Sequence, residues 1–277
     1  MEKVNVFGGT GFVGSNYAKL YPNDVEIIPR ESNSSPGENR DVLYLISTVH
    51  NYHVFSDLHQ DINTNLKKLM DVLPNVKGTF NFVSSWFVYG DGFTKDNPAR
   101  EDSHCDPRGF YSITKKTAED LLISYSKTFD KNYRILRLSN IIGGDPKSEK
   151  RKNALEYLIR QIINNEPINI YNGDNYRNFL HVEDACDAIK IVIEDGNLNE
   201  IYNIGANEST KIIDIVNYVI KKVGSKSTIT YIDSPKFHKI VQTENFFMDC
   251  KKLRTLKFRP KYTLFQSVDT IIEKIKS

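Results

Sequence analysis

Tyr111 and Lys115 stand four residues apart in YSITK, at the start of a stretch, YSITKKTAEDLL, whose pattern predicts a helix. Four residues is about one helical turn, so the phenol and the amine project from one face. A free phenol, with a pKa of about 10, is a poor base near neutrality, and each unit of depression requires about 1.4 kcal/mol of preferential phenolate stabilisation. A neighbouring ammonium supplies such stabilisation. The pair could therefore exchange a proton with a hydroxyl or carbonyl oxygen. Tyr and Lys at this spacing also arise as a packed ring and a solvated charge. What singles out this pair is Ser85, at the carboxyl end of the strand pattern GTFNFVSS (78–85) that precedes the helix. Its hydroxyl could hold a substrate oxygen beside the phenol.

A second constellation lies at the amino end. Gly8, Gly11 and Gly14 in GGTGFVG follow a β-rich run and open a helical stretch that begins with Phe12 and Val13. Glycines there let backbone amides and the positive end of a helix meet a pyrophosphate. The bland alternative is a loop with conformational duties alone. With a dinucleotide bound, a cationic nicotinamide ring near Tyr111 would favour the phenolate further. The second strand pattern ends in IIPRESN, so Arg30 stands where a carboxylate would accept the ribose hydroxyls. A guanidinium there, with Ser32 and Asn33 as added donors, suits a 2′-phosphate, which favours NADP(H) over NAD(H). Arg30 could also be a solvated loop charge.

These residues need a scaffold that brings them together. KVNVF (3–7), VEII (25–28), VLYLIST (42–48), GTFNFVSS (78–85) and YRILRLS (133–139) read as buried strands. Helical patterns run from about Phe12 to Tyr21, Val54 to Leu73 and Tyr111 to Phe129. This alternation predicts an α/β fold, a Rossmann-type doubly wound parallel sheet with ligands at the strands' carboxyl ends. Residues 1–143 form the dinucleotide-binding domain, and 144–277 mainly a smaller C-terminal α/β substrate lobe. No linker marks a clean cut, and residues 176–205 could return to the first sheet.

Composition excludes several classes. The 277 residues are 39% apolar and 26% charged, which fits a soluble globular protein. Lys and Arg total 37 against 35 Asp and Glu, with no basic block to track a phosphate backbone, so nucleic acid is not an expected partner. No apolar run approaches the roughly 18 residues of a membrane span, and the expectation is a cytoplasmic protein. Cys105, Cys186 and Cys250 are scattered, and the six histidines lack ligand spacing, so neither a disulfide framework nor a metal site is expected.

With GGTGFVG, SSWFVYG (84–90) and YSITK in place, the chain resembles the extended short-chain dehydrogenase/reductases, over nearly its whole length. The members it looks most like are sugar-nucleotide epimerases, dehydratases and 4-keto reductases. That resemblance implies that Ser85 is the active-site hydroxyl, Tyr111 the acid/base, and Lys115 its partner and a ribose ligand. It puts Ser85 and Trp86 beside the substrate and Asn140 on its diphosphate. Asn153 and Leu155 lie where family members close over that diphosphate. Tyr171 would pack on the base, or else fill the lobe's core, and Arg177 would pair with a phosphate, or else with Glu183 or Asp184. Lys236 and Lys239 are further candidates for a phosphate. The implied partner is a nucleotide-diphosphate sugar, and the implied assembly a homodimer built on the 54–73 and 111–129 helices.

Two departures from the family pattern matter. Only about a dozen residues separate Arg30 from the VLYLIST strand, where the family inserts a further helix and strand, so a narrower sheet and an altered adenine pocket are expected. Dehydratases of the family place an Asp-Glu pair after the active-site threonine, whereas Trp86 and Phe87 stand there and cannot transfer protons. This disfavours a 4,6-dehydratase unless Asp91 or Glu101 reaches the site. The expected reaction is hydride transfer at a hexose carbon, C4, by an epimerase or a 4-keto reductase. The rival readings are a non-catalytic dinucleotide-binding sensor or scaffold, and an enzyme acting on a small aldehyde or ketone.

Overall fold

The computed structural model describes residues 3–37, 39–144, 154–171, 175–241 and 244–277. The first half alternates as expected: β1 (Val4–Phe7), α1 (Phe12–Leu20), β2 (Val25–Ile28), β3 (Val42–Tyr44), α2 (Lys68–Val72), β4 (Phe80–Ser85), α3 (Phe110–Phe129) and β5 (Tyr133–Leu138). There follow β6 (Asn140–Ile142), α4 (Ala154–Ile163), β7 (Ile168–Tyr171), β8 (Tyr176–His181), α5 (Val182–Asp195), β9 (Glu200–Ile204) and β10 (Ser209–Lys211). The chain ends with α6 (Ile212–Val223), β11 (Ile229–Ile232), α7 (Lys236–Val241), α8 (Lys251–Thr255) and α9 (Leu264–Lys276).

Six parallel strands form the main sheet in the order β2-β1-β3-β4-β5-β9. The strand order reverses between β1 and β3, and the crevice at that point is where such sheets hold ligands. One face is sealed by α1 and α5, through Tyr17, Ala185, Ile189 and Val192, and the other by α2 and α3, through Leu69, Val72, Ala118 and Leu122. Of the 176–205 stretch, α5 and β9 return to this sheet, whereas β8 joins β6 and β10 in a small three-stranded sheet. With the β7–β11 pair and an apolar core shared by α4, α6 and α9, that sheet makes the second lobe.

The narrower sheet is present, with β2 as its edge. The described residues between β2 and β3 form no helix or strand. They are tied back by the buried Asn5, whose Nδ2 donates to Ser35 Oγ and to the Pro36 carbonyl at 2.7 Å each. Two expected elements are corrected. VLYLIST is extended only to Tyr44, because from Ser47 the chain turns to the Asn65 side chain for its hydrogen bonds. The single helix expected over Val54 to Leu73 is instead a 3-10 turn (Asn51–Phe55), a π-helical turn (Ile62–Lys67) and α2. The wide turn carries Asn65 inward, where its amide is fully bonded and 2% exposed.

The helix that carries Tyr111 and Lys115 is fastened from below. Glu119 of α3 accepts two bonds from Arg137 of β5, at 3.1 and 2.7 Å, with both side chains buried. Such a bidentate pair fixes geometry more than it adds stability.

Candidate active site

The three reactive groups converge at the carboxyl end of β4. Ser85 ends that strand, 7% exposed, and its Oγ also accepts the Phe87 amide at 3.3 Å, which caps a short turn through Trp86. Gly109 precedes α3, and the Ser112 hydroxyl closes the first turn by bonding both the amide and the carbonyl of Gly109 at 2.9 Å. A Cβ on Gly109 would stand 2.3 Å from Asn51 Oδ1, so only glycine lets the helix start this close to the 51–55 turn. Tyr111 follows one turn above Lys115, with the hydroxyls of Ser85 and Ser47 close enough to its phenol to pull its pKa down. The Phe87 ring stands edge-on to it, 6.1 Å away at 89°.

Burial is the main influence on both titrating groups. It raises the Tyr111 pKa above the usual phenol value, against the lowering effect of the Ser85 and Ser47 hydroxyls. Lys115 is 2% exposed, donates to the Val83 carbonyl at 2.6 Å, and lies 4.1 Å from the centre of the Phe82 ring. Burial pushes its amine down to about 7, with Glu119 acting in the opposite sense. The sequence led to the expectation that the ammonium itself would depress the phenol. In the structure the hydroxyl pair does so, because the amine is turned toward the β4 backbone.

The glycine turn lies at the carboxyl end of β1. Gly8 has φ +82°, and its carbonyl accepts the Gly11 amide at 2.9 Å. A Cβ on Gly14 would fall 2.4 Å from that carbonyl and 2.8 Å from the Gly9 Cα, so α1 begins in direct backbone contact with the turn. Gly11 caps α1 with no side chain in front of its amides. Phe12 and Val13 pack into the core below, and the Val13 carbonyl receives the Cys186 thiol at 3.7 Å. These residues fit a dinucleotide pyrophosphate, since bare amides face the position a side chain would otherwise fill. Past β2, Arg30 is exposed, while Ser32 and Asn33 are partly buried.

The candidates for the substrate side fall into two groups. Asn140 opens β6 and donates to the Asn178 carbonyl at 3.0 Å. Arg177 of β8 donates to the carbonyls of Tyr176 and Glu244 at 2.8 Å, faces the Trp86 ring at 5.9 Å, and is pushed down to about 10 by burial, with Asp91 opposing. Tyr171, at the end of β7, stands edge-on to His238 at 5.0 Å, and His238 Nε2 shares a 2.7 Å hydrogen bond with the Tyr52 hydroxyl. That bond joins α7 of the second lobe to the 51–55 turn of the first. Leu155 is 4% exposed within the second lobe's core, and Trp86 is 3% exposed against Phe87 and Phe246. Asn153 lies outside the described residues. Glu183 and Asp184 bond elsewhere: Asp184 takes the amides of Lys261 and Tyr262, and Glu183 the Tyr262 hydroxyl. Among the described residues no group of three His, Cys, Asp or Glu side chains could hold a metal ion, and no helix is long and apolar enough to cross a membrane.

A family model described as the NAD dependent epimerase/dehydratase family matches residues 54–205, more than half of the chain. The chain belongs to that family. It is accordingly an enzyme of the extended short-chain dehydrogenase/reductase type. The chain is 26% identical to the low-salt glycan biosynthesis protein Agl12 of Haloferax volcanii, over 98% of this chain and 97% of that one. Two solved structures share its fold. One is RMD from Pseudomonas aeruginosa complexed with NADPH, at 20% identity and a TM-score of 0.86, covering 99% of this chain and 98% of that one. The other is UDP-glucuronic acid 4-epimerase from Bacillus cereus in complex with UDP-glucuronic acid and NAD, at 21% identity and 0.86, covering 99% of both chains.

Within this member of the epimerase/dehydratase family, the structure adds residues that sequence reading missed. Asn65 accepts from Ser47 Oγ at 3.2 Å and the Thr48 amide at 2.9 Å, and donates to Thr48 Oγ1 and Thr114 Oγ1 at 2.9 Å each. Thr48 also donates to the buried Asp61. This network holds Ser47 against the Tyr111 phenol. Its sequence signal is the run of polar residues in DINTN (61–65), inside the stretch expected to form one long helix.

Proposed function

We propose that this chain catalyses reversible oxidoreduction at C4 of a nucleotide-linked hexose, as an epimerase or a 4-keto reductase, with NADP(H) as its cofactor. The observation that carries this reading is the meeting of the Ser85, Ser47 and Tyr111 hydroxyls at the carboxyl end of β4, in the sheet whose glycine turn ends β1. When bound, the nicotinamide supplies or accepts the hydride. Tyr111 gives or takes the hydroxyl proton at its phenol oxygen, and Ser85 holds the substrate oxygen in line. Lys115, buried below, adjusts the charge on that proton relay and is a ribose ligand. Asn140, Tyr171 and Arg177 come from the second lobe, where they serve the base and diphosphate. The Trp86–Phe87 pair supports this reaction over dehydration. So do the alternative acids: Asp91 is paired with Arg108, and Glu101 accepts the Asn203 amide at 3.0 Å.

The test is incubation with UDP-, GDP-, CDP- and dTDP-hexoses and their 4-keto derivatives, following nicotinamide absorbance and product isomers. Turnover of one hexose or keto-hexose, with a change only at C4, is the expected result. Formation of a 4-keto-6-deoxy sugar from the hexose would establish a dehydratase instead. The proposed homodimer rests on α3 and the segment before α2, where Phe110, Ile113, Leu121, Phe55 and Ile62 are exposed apolar residues. Light scattering is expected to give twice the mass of the chain, and Ile113→Glu to halve it.

A further inference from the structure

The loss of one strand leaves β2 as the edge of the sheet. The turn that follows it begins beside the glycine turn, because Phe7 and Ile28 are register partners. In sheets of this kind the adenosine end of a dinucleotide lies at the carboxyl end of the second strand. What faces that position here does not come only from the loop. Lys68, at the first turn of α2, reaches across and donates to the Ser32 carbonyl at 3.2 Å and to Asn33 Oδ1 at 2.5 Å. Both acceptors are neutral, and two of the three ammonium donors are used. Lys68 makes no ion pair with a described residue, whereas its neighbour Lys67 pairs with Asp71 at 2.9 Å. Beside it the Ser32 and Ser34 hydroxyls lie 2.9 Å apart. Arg30, the cation in the loop itself, is exposed and bonded to no described residue.

We propose that Lys68, held against the loop after β2, is the residue that selects a cofactor carrying a 2′-phosphate over one without it. The inference rests on the dinucleotide-binding reading above and deepens its cofactor preference. A cation already fixed by two bonds loses little freedom on meeting a phosphate, whereas a solvated arginine must first be ordered. Its third donor and the Ser32 and Ser34 hydroxyls supply charge-assisted and neutral bonds to phosphate oxygens. Lys68 thus replaces, from a helix, part of the wall that the missing strand would have given the adenosine.

Equilibrium binding of NADPH, NADH and 2′,5′-ADP to the full chain tests this, read by fluorescence or calorimetry without turnover. Lys68→Ala should weaken NADPH and 2′,5′-ADP about ten- to hundredfold, the range for one charge-assisted bond, and leave NADH within about twofold. Lys68→Gln, which keeps a donor for the loop and removes only the charge, should behave the same way, so a folding defect of the alanine variant cannot imitate the result. Arg30→Ala should have the smaller effect. Equal weakening of NADPH and NADH by both Lys68 variants would overturn the proposal, as Lys68 would then only brace the loop. Selectivity kept in the Lys68 variants but lost in Arg30→Ala would overturn it and leave the NADP(H) reading standing. A wild-type chain that binds NADH as tightly as NADPH would remove that reading itself, and the role of Lys68 with it.

Discussion

Tyr111→Phe is expected to lower kcat by about three orders of magnitude, the middle of the range for a general acid or base. Cofactor affinity should stay unchanged. The substitution removes one oxygen and leaves the ring, so the edge-on contact with Phe87 and the start of α3 persist. It takes away the atom on which the Ser85 and Ser47 hydroxyls converge. Because burial holds the phenol pKa above its usual value, the wild-type rate should also rise with pH across the neutral range in the direction that requires phenolate. In the direction that requires phenol it should be flat there. Steady-state kinetics in both directions, with NADPH titrations of the variant, check these expectations. Activity in the variant within tenfold of wild type would remove Tyr111 from the reaction.

Lys115→Met should produce an unusual combination, a more stable protein that is a poorer enzyme. The folded-state amine titrates at about 7 against an ordinary 10.5, because burial disfavours the charged form. The unfolded chain therefore binds the proton more readily between those two values, and stability rises as pH climbs from about 7 to 10.5. Below about 7 the folded protein carries the full cost of a buried ammonium, at most about 5 kcal/mol from the size of the shift. Methionine, of similar length and uncharged, escapes that cost, less what is lost with the bond to Val83. Denaturant melts at pH 6 and pH 10 should thus separate the two proteins at the lower pH and bring them together at the higher. Over the same comparison kcat should fall about a hundredfold, since the proposed ribose ligand that aligns the nicotinamide with Tyr111 is lost. A variant less stable than wild type at pH 6 would mean that the amine's hydrogen bond outweighs its desolvation.

The parts of this chain written in backbone terms were readable from residues alone. GGTGFVG between a strand and a helix leaves few alternatives once the glycines are seen to touch, as Gly14 and Gly8 do. Set against the family pattern, the gap of about a dozen residues after Arg30 was enough to expect a narrower sheet, whose edge is β2. Long-range side-chain pairing was not readable. The polar run DINTN signals side chains in need of partners, but not that Asn65 would abandon α-helical spacing to serve Ser47, Thr48 and Thr114. Likewise Trp86 follows Ser85 in sequence, yet the short turn after β4 buries its ring and presents Phe87 to Tyr111. Leu155 stands where family members close over the diphosphate, and the amphipathic α4 that carries it turns its apolar side into the second lobe's core. In each case the deciding partner lies on another element, at a sequence distance that periodicity does not register.

In the proposed reaction the carbon exchanges its hydrogen by hydride transfer, while the phenol of Tyr111 handles only the proton on oxygen. The fate of deuterium placed at C4 of the accepted nucleotide hexose tests it directly. The label is expected to stay out of water through many turnovers, recovered on the sugar carbon or on the nicotinamide. Release of that deuterium to solvent at the rate of product formation would mean proton abstraction at carbon, and would contradict it.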